Sequence, residues 1–338
     1  MEKPMDEIIR LGHGSGGKLS HELITGIFAQ SFSNDILNKM DDSAVLNVEG
    51  KIAFTTDGFT VNPLFFPGGD IGKLAVCGTV NDLAMSGAKP LYLSTAMIIE
   101  EGFPIKELKE IVSSLQKTAE TAGVTVVTGD TKVVNKSCAD KIFITTTGIG
   151  IIPEGVDLSG SNAREGDKII VSGTVGEHGI AVLSQREGLK FSVPVESDCA
   201  PLNKLVSDIL NVTHKIRCLR DPTRGGLATT LNEIASQSKV SIVIDEKAIP
   251  VHEAVRAVCE LLGIDPLYIA NEGKLIAVVP PEFADSVLEA MRRNTYGKQA
   301  AVIGTVCSGR AGRVIMKTTL GASRIIDMLS GEMLPRIC

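Results

Sequence analysis

Apolar strands alternate with helix-length amphipathic stretches along almost the whole chain, and aspartates fall where several of the strands stop. This rhythm constrains the fold more than any composition figure. Strands separated by helices build α/β layers, and such layers hold ligands at the carboxyl ends of strands. Residues 51–56 read as a strand ending at Asp57, and 124–128 as a strand ending at Gly129-Asp130, with Lys132 just beyond. Residues 70–86 read as an amphipathic helix stopped by Gly87 and carrying Asn81-Asp82. Residues 104–122 form a second helix, and strands at 91–99 and 141–148 complete the set. Asp41-Asp42-Ser43-Ala44 leads into one more strand.

A polar, turn-rich stretch at 153–166 marks a boundary. Beyond it a strand at 168–172 meets Gly173 to Gly179, which includes His178, and a helix runs to Arg186. His178 could be a ligand or an acid/base, but a lone His beside glycines is more often a capping or substrate-positioning group. Asp221-Pro222-Thr223-Arg224-Gly225-Gly226 opens a capped helix to Ser236, whose N-terminus beside Arg224 suits a phosphate. Strands at 240–244, 275–279 and 300–306 alternate with helices at 251–262 and 283–293, and Asn271-Glu272-Gly273-Lys274 forms a turn before 275–279. Residues 322–329 read as a short helix ended by Ser330-Gly331, after which Pro335-Arg336-Ile337-Cys338 finishes as a free arm with a thiol at its tip.

A chain of 338 residues exceeds one ordinary core, so two domains are expected. They are a Gly-rich segment over 1–40, an N-terminal domain over 41–155, a C-terminal α/β domain over 156–320 and a flexible tail over 321–338. A net charge of −6, no basic run, 4% aromatics and no Trp argue against nucleic acid or an anionic membrane as partner. The charged start lacks the apolar core of a signal peptide, and no apolar run is long enough to span a bilayer. Seven cysteines, odd in number and without metal-type spacing, suit a reduced, cytoplasmic protein with one exposed thiol at Cys338.

Gly12 to Lys18 matches a phosphate-binding Walker A loop up to the lysine, but Leu19 stands where Ser or Thr must hold Mg²⁺. What remains is a flexible Gly-rich segment whose N–H groups can cover phosphates, or equally a plain linker. Any single loop aspartate is equally a turn former. Several together, with hard oxygen donors, suit Mg²⁺ arriving with nucleotide phosphates.

Asp-Asp-Ser-Ala (41–44), Thr-Thr-Asp (55–57), Asn-Asp-Leu-Ala (81–84), Thr-Gly-Asp-Thr (128–131), Asp-Pro-Thr-Arg-Gly-Gly (221–226) and Asn-Glu-Gly (271–273) together resemble one ATP-dependent superfamily. It includes aminoimidazole ribonucleotide synthetase, the glutamine-dependent purine amidotransferase, selenophosphate synthetase and thiamine-monophosphate kinase. The resemblance spans nearly the whole chain and implies a two-domain PurM-like α/β (α+β type) fold. It implies a homodimer paired through the N-terminal domain, with ATP and Mg²⁺ in the interdomain cleft. Asp42, Asp57, Asp82 and Asp130 would hold the metal. Asn81, Asp221, Arg224, Gly16, Gly17 and Lys18 would complete the ATP site.

Pro335-Arg336-Ile337-Cys338 resembles the hydrogenase-maturation branch. Selenophosphate synthetase needs a reactive Cys or Sec in the segment at 12–18, which has none, and a thiamine-monophosphate kinase has no use for such a thiol. In that branch the carbamoyltransferase HypF loads a carbamoyl group onto Cys338. The chain then dehydrates its own S-carboxamide to a thiocyanate with ATP, and the cyano group passes to iron on a HypC–HypD scaffold. Glu272 is the expected base, with Lys132 or Arg224 as the cation near the γ-phosphate. Arg336 is expected to offset negative charge beside the thiol. The alternative on the same scaffold is a small-molecule kinase or synthetase.

Overall fold

The computed structural model describes residues 8–15, 17–40, 43–189, 194–329, 331, 334 and 336–338. Gly16, Asp41, Asp42 and Pro335 lie outside the described residues. Helix α1 (Lys18–Leu23) continues through a π turn at Ile24–Phe28 into α2 (Ala29–Ser31). The chain then builds β1 (Lys51–Phe59), a hairpin of β2 (Phe65–Phe66) and β3 (Gly69–Asp70), α3 (Ile71–Met85), β4 (Lys89–Glu100), α4 (Ile105–Ala122), β5 (Thr125–Val134) and β6 (Ile142–Ile152). Strands order as β1-β6-β4-β5. Only β4 and β5 run parallel, because α4 is the crossover between them.

A second, seven-stranded sheet follows from β7 (Lys168–Val171), α5 (Glu177–Glu187), α6 (Asn203–Val212), β8 (Cys218–Arg220), α7 (Gly226–Ser238), β9 (Ser241–Asp245), α8 (Glu253–Leu262), β10 (Ile276–Val279), α9 (Ala284–Arg293), β11 (Ala301–Cys307), β12 (Arg313–Lys317) and β13 (Ser323–Ile326). Its order is β13-β12-β9-β11-β7-β10-β8. The result is two packed α/β layers rather than one closed core.

Several local expectations change. β1 and β5 run on to Phe59 and Val134, so Asp57 and Asp130 lie within strands rather than past their ends. Residues 43–50 carry no strand. Residues 323–326 form a strand, not a helix, because Ile326 pairs with Val314 of β12 and both are fully buried. An isolated eight-residue helix could not match that gain. The amphipathic reading of α3 also fails. Almost every position from Ile71 to Met85 is buried, since α3 packs on β1 and β6, on α4, and on α6 of the second domain. Asp70 caps it, accepting the Gly72 and Lys73 N–H groups at 2.7 and 3.2 Å. Gly72 is required there, because a Cβ would stand 2.3 Å from the Ile111 carbonyl oxygen of α4.

Asn81 of α3 is spent on joining the domains. Its amide donates to the carbonyls of Ala200 and Glu272 at 3.1 and 3.3 Å, and its oxygen accepts the Leu202 N–H at 2.8 Å. Both ends of the side chain are therefore committed to backbone. Asn81→Ala leaves those buried groups unpaired and should cost about 2–4 kcal/mol of stability in urea unfolding. A loss below ~1 kcal/mol would contradict the staple.

Candidate active site

The last residues of the chain do not float free as a flexible arm. They run antiparallel to the segment after β1: Thr60 N–H donates to the Cys338 carbonyl oxygen at 3.1 Å and Asn62 N–H to Arg336 O at 3.2 Å. The Thr60 hydroxyl also reaches Cys338 O at 3.2 Å. Ile337 is buried, packing into the N-terminal domain's core, with Leu334 and Cys338 against its edge. Arg336 donates from Nε to Thr60 O at 2.8 Å, pairs with Asp140 at 2.5 Å and lies over the Phe143 ring. Arg186 of α5 adds bonds to Asn62 O and Arg336 O, each 2.8 Å. This arrangement corrects two expectations. Cys338 is half-buried, while Cys138 is the exposed thiol. Arg336 is committed to anchoring the tail and not to the thiol's charge.

The docked thiol faces a group of carboxylates. Burial first, then Glu272 and Asp57, push the Cys338 thiol up to about 12 against the pull of Arg224. Glu272 is 3% exposed, and among the described residues its carboxylate has no hydrogen bond or ion pair. Burial, then Cys199, Asp221, Asp198 and Asp57, raise its pKa well above the ordinary value of 4.5. Asp221, in the loop before α7, is pushed to about 7 by burial and by Asp82. Asp82 is raised by burial and by Asp57, although the Thr55 hydroxyl donates to it at 2.9 Å. Asp57 is raised by burial, while the Gly58 N–H and Arg224 lower it. Asp57, Asp82, Asp221, Glu272, Arg224 and Cys338 thus share one electrostatic neighbourhood, drawn from β1, α3, two second-domain loops and the tail.

Other groups hold Glu272 in place. Asp198 accepts the N–H groups of Glu272 and Gly273 at 3.1 and 3.3 Å, and Lys274 stands 3.5 Å away. Asn271 accepts the Gly176 N–H at 2.7 Å and donates to Pro222 O and Ile269 O. Asp198, Thr60, Arg186 and Asp140 carried no local sequence signal, since each acts on a residue distant in sequence.

Asp130 and Lys132 are elsewhere. They pair with each other at 3.2 Å on β5, exposed, at the sheet edge opposite β1. They line a cavity of about 260 Å³ with Gly14, Phe28, Phe32 and Met97. Thr95 also lines it and is buried, its hydroxyl without a partner among the described residues. Lys18 is exposed, pairing with Glu22 one turn on, and Gly17 is the N-cap of α1. Within one chain, then, the cleft around Cys338 collects Asp57, Asp82, Asp221, Arg224 and Glu272 but not Asp130 or Lys132. Asn81 borders it through backbone contacts only. Among the described residues no three His, Cys, Asp or Glu side chains stand close enough to cage a metal ion, and no helix is long and apolar enough to cross a membrane.

Two family models match: AIR synthase related protein, N-terminal domain, over 40–152, and the C-terminal domain of the same family over 164–317. The fold is that of the AIR synthase related, PurM-like proteins. Carbamoyl dehydratase HypE of Azotobacter vinelandii is 53% identical over 98% of this chain and 97% of its own length. A crystal structure of hydrogenase maturation protein HypE in complex with ATP superposes with a TM-score of 0.94 at 52% identity, covering 97% of this chain and 99% of that one. The HypE chain of a HypE–HypF complex gives 0.81 at 52% identity, covering 91% and 99%. The chain belongs to the HypE family.

Arg336→Ala removes two anchors of the tail. Alkylation of Cys338 by iodoacetamide, followed on the intact protein, should quicken roughly tenfold. A wild-type rate would show that the tail is held without Arg336.

Proposed function

We propose that this protein is an ATP-dependent carbamoyl dehydratase of [NiFe] hydrogenase maturation that acts on its own Cys338. The observation carrying the proposal is the docking of Cys338 beside Glu272, a buried carboxylate with no partner among the described residues. A carboxylate so placed needs an occupant that brings protons to it. A carboxamide on the Cys338 sulfur does so through its NH₂ group.

The amide oxygen is a poor leaving group until it is phosphorylated. Attack of that oxygen on the γ-phosphorus of ATP releases ADP, and loss of one N–H proton leaves S–C(=NH)–O–phosphate. Removal of the second N–H proton with departure of phosphate leaves S–C≡N. Glu272 is the base, and the tail's anchors hold the sulfur still while the protons leave. Arg224 is a cation that acts on the Cys338 thiol, suited to charge building on the phosphoryl oxygens.

The protein residues suit the co-substrate and its metal. The cavity at β5 joins apolar walls, a buried hydroxyl on Thr95 that lacks a partner, and the Gly-rich turn, as a nucleotide base and its phosphates require. Asp57, Asp82 and Asp221 are hard oxygen donors held close enough to raise one another's pKa, a charge pattern that a divalent cation relieves. They are not a preformed cage, which accords with Mg²⁺ keeping waters and borrowing phosphate oxygens. When bound there, Mg²⁺ would neutralise the transferring phosphoryl group.

A homodimer fits the same frame. Among the described residues nothing covers the face of the first sheet away from α3, which displays Ile52, Phe54 and Ile98, with Phe54 68% exposed. Asp130 and Lys132 stand three strand spacings from β1, roughly 14 Å. A nucleotide bound between two copies would take its base from one chain's β5 and meet the other chain's Glu272. Co-expressing Lys132→Ala with Glu272→Gln should then restore about a quarter of wild-type activity, because half the dimers are mixed and each holds one intact site. No recovery would mean that each chain completes its own site. HypF as carbamoyl donor and HypC–HypD as cyanide acceptor complete the proposal, the first by analogy with the relative crystallised with HypF.

Glu272→Gln should leave ATP binding and carbamoyl loading intact but slow dehydration at least 100-fold. In the wild type the rate should fall as pH drops through the raised Glu272 pKa, because the base must be ionised. The Gln variant should lack that limb. Wild-type conversion by this variant would remove Glu272 from the chemistry.

A further inference from the structure

His178 is fully buried at the first turn of α5 and has no part in the chemistry just described. Its Nε2 lies 2.8 Å from the Ile337 carbonyl oxygen and its Nδ1 lies 2.8 Å from the Ser197 hydroxyl. The tautomer follows from Ile337, whose carbonyl oxygen can only accept, so Nε2 donates and the Ser197 hydroxyl donates to Nδ1. That hydroxyl oxygen already accepts the Cys199 N–H at 3.1 Å, so its own proton is free for Nδ1. Nδ1 accepts, and Nε2 carries the hydrogen that it donates to Ile337 O. The ring is fixed from the other domain as well, edge-on to Phe66 at 5.4 Å. The Ser197 N–H donates to Pro67 O at 2.8 Å, tying the same loop to the β2–β3 hairpin.

The other anchors of the tail lie at its entrance or in the backbone at Thr60 and Asn62. Among the described residues His178 is the side-chain anchor of the tail that is fully buried, and it grips the residue immediately before the thiol. A carbonyl fixed one residue away limits where the sulfur can stand relative to Glu272. We propose that His178, oriented by Ser197, is a positioning residue for the dehydration. It sets the register of the docked tail so that the S-carboxamide on Cys338 meets Glu272. It has no part in loading, which needs the thiol to be reached from outside. This rests on the dehydratase reading, deepening the same site.

The groups around His178 agree with a neutral donor. Burial lowers its pKa below the usual histidine value of 6.5, with Asp198 and the Ile337 carbonyl opposing. A tail that leaves would hydrate the ring and favour its protonation, so acid below about 6.5 works against docking.

His178→Phe keeps the ring's bulk against Phe66 and deletes the donor. His178→Gln restores an N–H near the Nε2 position. Two readouts are taken on the full-length protein. Hydrogen exchange at the Thr60 and Asn62 amides reports docking whether or not any reaction occurs. Single-turnover conversion of preformed S-carboxamide reports alignment. In the Phe variant exchange should quicken and conversion should slow, each roughly tenfold, with loading no slower than in the wild type. The Gln variant should recover most of both. Wild-type exchange in the Phe variant, or equal losses in Phe and Gln, would overturn the proposal. If the wild type converts no S-carboxamide, the dehydratase reading falls, while the exchange data still decide whether His178 holds the tail.

Discussion

A carboxylate in a buried position without a hydrogen bond is expensive, and among the described residues the cleft between the two domains is built around one, Glu272. Glu272 keeps that position because its backbone, not its side chain, is held: Asp198 takes the N–H groups of Glu272 and Gly273, and Asn81 takes the Glu272 carbonyl. Asn271 next to it ties three loops together. Fixing the backbone so firmly leaves the carboxylate free to meet whatever enters. The entrant in this structure is the chain's own last residue.

The neighbouring acids share the same tension. Asp57, Asp82 and Asp221 sit together without a cation equal to their charge, and each is driven toward its protonated form. Such clusters trade stability for chemistry, and they persist because the surrounding packing over-determines them. Here that packing is α3, a helix buried on nearly every side, which carries Asp82 and Asn81 on consecutive positions. One faces the acid cluster and the other staples the domains. A single turn of helix thereby couples closure of the cleft to the charge inside it.

Much of this was legible in the sequence. Strand-and-helix alternation gave the layered architecture, and the ordered Asp motifs pointed to a shared ligand site. Glu272 stands in a turn before an apolar strand, which equally suits a surface carboxylate, so only the family resemblance singles it out as a candidate base. What could not be read were pairings over long separations. Asp198 reaches Glu272, Asp140 reaches Arg336 and Thr60 reaches Cys338 only after the sheets have formed. The same blindness misjudged the tail, since local cues at 322–329 favour a helix and the edge of β12 decides otherwise. Asp130 and Asp57 look alike in sequence, each following apolar residues and near a Thr. Strand order alone separates them to opposite edges of one sheet.

The direct test of the central claim is the mass of the Cys338 peptide. The protein is loaded with a carbamoyl group by its carbamoyltransferase and then incubated with or without ATP and Mg²⁺. Carboxamide on Cys338 that persists without ATP, and loses one water when ATP is supplied, is the expected result. An unmodified Cys338, or a carboxamide that ATP leaves unchanged, would contradict it and return the protein to the kinase or synthetase branch of its superfamily.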